Sequence, residues 1–129
     1  ITPAQVNDGS DDACGIAGLE LDVTAFDCNQ VGDNTVTLTV TDQNGNSQSC
    51  TATVSVLEVT NPVAICQDIT VELDPTGNIT IDPEDVNNGS NDACGLASLE
   101  AEPTTFTCAD VGPNTVTLTV TDNNGNSSS

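Results

Sequence analysis

The sequence predicts an all-β chain of small antiparallel sandwich domains arranged as beads on a string. Three observations carry that expectation. Apolar residues alternate with polar ones at a period of two: Val36, Leu38 and Val40 interleave with Thr35, Thr37, Thr39 and Thr41, and Thr115 to Thr121 repeats the run. Half-buried antiparallel strands require this alternation and favour β-branched residues. No segment sustains a helical period over about ten residues. Finally, residues 81–129 copy residues 1–49 without a gap, 32 of the 49 positions being identical. An offset of 80 residues is too long for a solenoid unit and suits a small independent domain.

Taken from Val63, one unit reads as strands at 64–73, 79–86, 96–102, 104–108 and 115–122, with a last strand equivalent to 50–58 of the preceding unit. In the first of these, Ile69, Val71 and Leu73 alternate with Thr70 and Glu72, and the turn Asp74-Pro75-Thr76-Gly77-Asn78 leads on to Ile79 and Ile81. The strands at 96–102 and 104–108 read as a hairpin. In the last strand Ala52, Val54 and Val56 alternate with Thr51, Thr53 and Ser55. Short strands with turns at this spacing suggest a two-sheet sandwich of immunoglobulin type. Phe26 and Phe106 are the only large core anchors. The joint is Glu58-Val59-Thr60-Asn61-Pro62, where Pro62 ends the preceding strand. Residues 1–58 are accordingly read as the C-terminal part of one repeat, 59–63 as linker, and 64–129 as the next repeat without its last strand. A window on a longer array is the expected origin of this frame, and short subunits that complete one another are the alternative.

No Lys, Arg or His occurs among the 129 residues, against 20 carboxylates, for a formal charge of −20. Such a chain is repelled by nucleic acid and by anionic membrane, which excludes both as partners. Acidic chains poor in aromatics are often disordered, but here 36% of residues are hydrophobic and they alternate regularly. The missing residue types also remove chemistry. Without His, Lys, Tyr or Met there is no Ser-His-Asp or Cys-His catalysis, no Schiff base and no imidazole-ligated zinc. The sequence is read as that of a non-enzyme. No apolar run approaches the roughly 18 residues of a spanning helix, so direct membrane insertion is not expected.

Six cysteines in a loop-rich chain argue for disulfides and an oxidising, extracellular setting. Cys94 and Cys108 flank the expected hairpin, and Cys14 and Cys28 repeat the spacing, so each pair is expected to close a loop worth on the order of 3 kcal/mol. Cys66 opens the first strand of its unit and Cys50 belongs to the last strand of the other. Each is expected to pair outside the chain, Cys66 with a cysteine at position 130 and Cys50 with one before residue 1.

Two polar loops recur. One is Asn7-Asp8-Gly9-Ser10-Asp11-Asp12-Ala13-Cys14-Gly15, returning as Asn87 to Gly95; the other is Thr41-Asp42-Gln43-Asn44-Gly45-Asn46, returning as Thr121 to Asn126. Oxygen donors persist between copies even where charge does not, a pattern that suits Ca²⁺. Asp12, Asp42 and Asn44 in one unit, and Asp92, Asp122 and Asn124 in the other, are the candidate ligands, with Glu58 and Asn61 of the joint completing a site between domains. Asn-Gly and Asp-Gly are also the standard formers of hairpin turns, and that reading needs no metal.

Cys66-Gln67-Asp68-Ile69-Thr70-Val71, the Asp92-Ala93-Cys94-Gly95 loop and the run from Val116 to Asn126 together resemble the hyalin repeat, or HYR, family. The resemblance implies an immunoglobulin-like extracellular module of adhesion proteins and large bacterial surface adhesins, and names no ligand. The expectation is a structural repeat of a secreted or cell-surface fibre, stalk or adhesin, stapled by disulfides and stiffened by calcium. Its partners are neighbouring repeats of the same array or identical subunits. The alternatives are a calcium-dependent module for a glycan or surface protein, which the lack of Trp and Tyr disfavours, and a filament subunit polymerising by strand complementation.

Overall fold

The computed structural model describes all residues from Ile1 to Ser129 and divides into two compact units, Ile1–Glu58 and Val59–Ser129. Every sheet is antiparallel. In the first unit a single helical turn, α1 (Pro3–Val6), precedes β1 (Ile16–Leu21), β2 (Gly32–Asp42) and β3 (Ser47–Val56), which form one sheet in the order β1-β2-β3. The central strand β2 carries the alternating run. Its ladder with β3 is unbroken from Gly32↔Val56 to Thr41↔Ser47, and its ladder with β1 runs from Ile16↔Asp42 to Leu21↔Leu38. Val36 and Leu38 are buried on one face of it.

The second unit comprises β4 (Asn78–Thr80), α2 (Pro83–Val86), β5 (Leu96–Glu102), β6 (Thr105–Thr107), β7 (Thr117–Asp122) and β8 (Ser127–Ser128). They make two sheets, β4-β6 and β5-β7-β8. The core is Ile81, Val86, Phe106, Leu118 and Val120, with Ala64, Ile79, Leu96, Leu99, Ala101 and Val116 packed against it. Full burial of such a side chain stabilises by about 1.5–3 kcal/mol.

Four readings of the sequence are corrected here. The segment 64–73 is not a regular strand. Residues 63–67 run along the 86–91 loop instead, with Val63 N–H donating to Asn91 O at 2.8 Å, Asn88 N–H to Ile65 O at 2.8 Å and Gln67 N–H to Val86 O at 2.9 Å. Beyond Gln67 the alternating face finds no ladder partner, so Ile69 and Val71 remain exposed. Alternation supplies a face, but a strand also needs a neighbour to satisfy its backbone. The strand expected over 79–86 ends at Thr80, because Pro83 has a fixed φ suited to the first helical position and no N–H for a ladder. The Asp85 carboxylate accepts from Asp82 N–H at 2.9 Å and fixes the start of α2.

The hairpin expected from 96–102 and 104–108 is absent. β5 pairs with β7, whereas β6 pairs with β4, so the chain crosses between sheets at Pro103, which cannot donate to either. Finally, residues 62 and 63, assigned to the linker, are part of the second unit: Pro62 is buried, its carbonyl accepts from Ser128 Oγ, and Val63 exchanges backbone hydrogen bonds with Asn91.

Candidate functional site

The acidic loops lie side by side in each unit because the β-pairing brings them there. Ile16 is registered with Asp42 in the first unit and Leu96 with Asp122 in the second. Gly15 O accepts from Gln43 N–H at 3.1 Å, and Gly95 O accepts from Asn123 N–H at 3.1 Å. Asn123 Nδ2 also donates to Cys94 O at 2.8 Å. The approach is close enough that a Cβ at Gly95 would stand 2.8 Å from Asn123 Nδ2, and Gly95 has φ +90°. That explains the glycine of the Asp-Ala-Cys-Gly loop.

Each of the four candidate aspartates has a structural duty. Asp42 Oδ1 accepts from Asn44 N–H at 2.8 Å and Asn46 N–H at 2.9 Å, while Oδ2 accepts from Asn46 Nδ2 at 2.7 Å. Asp122 repeats this with Asn124 and Asn126. Asp12 Oδ1 and Asp92 Oδ1 each accept the N–H of the cysteine two residues on, at 2.7 Å. Asn44 and Asn124 are exposed at the turn tips. Glu58 is the last residue of the first unit, and Asn61 is exposed near the start of the second.

The sequence reading missed a third copy of this device. Asp74-Pro75-Thr76-Gly77-Asn78 shares the Asp-x-x-Gly-Asn spacing of 42–46 and 122–126. Its Asp74 Oδ1 accepts from Thr76 N–H, Thr76 Oγ1 and Asn78 N–H at 2.8, 2.6 and 3.1 Å. In all three the aspartate N–H donates to the final asparagine's carbonyl at 2.9 Å, and the glycine N–H returns to the aspartate carbonyl. The motif is a tight turn locked by its own carboxylate. The signal lay in the spacing and was hidden by Pro75 and Thr76.

The hydrogen bonds set the acidities. The Asn46 side chain and backbone hold the Asp42 carboxyl below its ordinary value, and Thr76 does the same for Asp74. Burial pushes the Asp122 carboxyl upward, but Asn126, Asn124 and Gly125 together outweigh it and leave it lowered. In the first unit Asp11, Asp12, Asp42 and Asn46 line one small recess. No group of three or more Asp, Glu or Cys side chains is gathered in a metal-holding arrangement.

The cysteine pairs expected from spacing are not formed. Cys14 and Cys108 carry free, exposed thiols, while Cys28 and Cys94 are in the disulfide-bonded state. β2 explains the failure of the first pair. It spans eleven residues, so its ends stand roughly 33 Å apart. Cys14 sits beside the Asp42 end, whereas Cys28 opens a 3-10 turn, Cys28–Gln30, that feeds the Gly32 end. A disulfide needs Cα atoms within about 7 Å. In the second unit Cys94 precedes β5 and Cys108 follows β6, on different sheets, and the Cys108 thiol points at Gly77 O, 3.7 Å away. Cys50 and Cys66 are free and exposed.

Residues 6–56 match the family model of the HYR domain. This segment is similar to the HYR family. The match includes both acidic loops of the first unit and all of β1, β2 and β3. No curated protein and no solved structure matches the chain significantly. HYR domains occur in extracellular and cell-surface proteins, as adhesion-related repeats. Within residues 6–56, the Asp12 carboxylate is engaged in the loop that precedes β1 and the Asp42 carboxylate in the turn between β2 and β3. No helix is long and apolar enough to cross a membrane.

Proposed function

We propose that the chain is a stretch of repeated adhesion-type domains that works outside the cell as part of a fibre, stalk or adhesin. The supporting observation is the HYR match over 6–56 together with the copy of that sequence 80 residues on. A charge of −20 with no cation of its own makes such domains repel one another, which favours an extended and soluble array. The lack of Lys and Arg also leaves trypsin-like proteases no cleavage site, an advantage for an exposed filament. The partners in this reading are neighbouring repeats or identical subunits. Antibody raised against the chain should label intact source cells or their shed filaments; labelling that appears only after lysis overturns the reading.

Calcium is proposed as a counter-ion of this charge, acting at the loops of Asp12 and Asp42, which line one recess without forming a ready-made cluster of ligands. Millimolar Ca²⁺ should raise the melting temperature more than Mg²⁺ at equal ionic strength, and D12N should abolish the difference. Equal effects of the two ions would assign the stabilisation to screening alone.

A further inference from the structure

From the loop between α2 and β5 we infer that Asn88 is a site of spontaneous deamidation, and that its isoaspartyl product unfastens residues 63–65 from that loop. The inference stands independently of the adhesion reading. Asn-Gly occurs at 44–45, 88–89 and 124–125. A glycine in second place leaves its main-chain nitrogen uncrowded and its backbone free to turn, so that nitrogen can reach the asparagine side-chain carbon. At two of the three sites the turn restrains the pair. Gly45 N–H donates to Asp42 O at 3.2 Å and Gly125 N–H to Asp122 O at 3.3 Å, while the Asn44 and Asn124 N–H groups are each held by an aspartate Oδ1 at 2.8 Å. At the third site the Asn88 side chain and the Gly89 N–H have no hydrogen-bond partner in the protein, and both residues are exposed.

The reaction needs only water. The Gly89 nitrogen attacks Cγ of Asn88, the N–Cγ bond forms, and the Cγ–Nδ2 bond breaks. The side-chain nitrogen leaves as ammonia with the proton that Gly89 gives up. Water then opens the cyclic imide at either carbonyl, giving aspartate or isoaspartate. The two products differ in consequence. The first unit carries Asp8 where the second has Asn88, and both loops keep the same turn, with Ser10 N–H donating to Asn7 Oδ1 and Ser90 N–H to Asn87 Oδ1, each at 3.0 Å. A normal aspartate therefore fits. Isoaspartate instead routes the main chain through the side chain and lengthens it between residues 88 and 89. Ile65 is gripped on both sides of that bond: its carbonyl accepts from Asn88 N–H at 2.8 Å, and its N–H donates to Ser90 Oγ at 2.9 Å. Beyond Ser90, Val63 and Asn91 exchange two more hydrogen bonds. A longer main chain shifts Ser90 and Asn91 away from Asn88, so the two grips on residues 63–65 no longer hold together. Gln67 N–H bonds to Val86 O, before the altered bond, and is spared.

The test ages the whole chain in mildly alkaline buffer, followed by reduction and digestion with glutamyl endopeptidase. Cuts after Glu20, Glu58, Glu84 and Glu100 place Asn44, Asn88 and Asn124 on different peptides. Asn88 should deamidate about fivefold or more faster than the other two, the factor that one hydrogen bond is worth. Isoaspartyl methyltransferase with a labelled methyl donor should mark the peptide containing Asn88, and N88Q should remain unmarked. In the aged protein, hydrogen exchange at the Val63 and Ile65 amides should quicken by about fivefold or more, with Gln67 unchanged. Freshly prepared N88D should exchange like the parent. Deamidation at Asn44 or Asn124 as fast as at Asn88, or no methyl label on the Asn88 peptide, overturns the assignment of the site. Unchanged exchange at Val63 and Ile65 after labelling, or equal quickening in fresh N88D, overturns the effect of the lengthened main chain.

Discussion

The two units set one nine-residue strand in different company. In the first, Asn34–Asp42 is the middle of a three-stranded sheet with a long partner on each side; in the second, Asn114–Asp122 has a long partner only on the β5 side. The aromatic anchors show the opposite imbalance. Phe106 lies opposite Ile79 in the β4–β6 ladder and is buried, whereas Phe26 has no such ladder partner among residues 1–58 and is half-buried. Identical residues acquire different burial, so propensity selects the strand and its neighbours decide what the strand is worth.

The largest test of this difference is at the aromatics. Phe106→Ala removes a member of the core cluster and should destabilise the second unit by about 3–5 kcal/mol. Phe26→Ala should cost less than half of that. Chemical denaturation with hydrogen exchange resolved by unit measures the two losses separately, and equal losses would mean that burial in the two units is the same. A smaller contrast is expected on the shared strand. Val36→Ala should cost about 2 kcal/mol, in keeping with a fully buried valine, and Val116→Ala roughly half as much.

These contrasts also mark what the sequence could reveal. The run from Thr35 to Thr41 showed a half-buried strand and its faces, and Asp42-Gln43-Asn44-Gly45-Asn46 showed the hairpin that follows, because both signals are local. The lateral contact of the Asp-Ala-Cys-Gly loop with the second loop was not legible, because it depends on the β1–β2 and β5–β7 registers. By contrast, Ile69, Val71 and Leu73 had an equally regular alternation and form no strand, since no neighbouring backbone reaches them. Cysteine spacing misled for a related reason. Fourteen residues close a loop in a hairpin, but here they run the length of β2 in one unit and change sheets at Pro103 in the other. The candidate ligands were found as oxygen-rich positions, and the hydrogen bonds of Asp42 and Asp122 within their own turns follow the turn-forming reading of the same residues.

Those turns give the smallest and most selective test. Asp42 is half-buried and Asp122 almost fully buried, 1% exposed, with the same set of donors around each. Both carboxyls lie below the ordinary value of 3.8. A carboxyl lowered in the folded state contributes stability above its unfolded pKa, and that contribution is lost as pH falls through the folded value. At pH 7, D42N and D122N should each melt several degrees below the parent, D122N by the larger amount. Below about pH 4 each gap should narrow, because the parent carboxyl protonates too. Acid also discharges the other carboxylates and relieves repulsion across a chain of −20, so the parent's own curve mixes two opposing effects. Parent and variant share that second effect, and the difference between their melting curves isolates the turn. A gap that stays constant from pH 7 to pH 2 would show that the asparagine fails through geometry and that the charge of the aspartate contributes nothing.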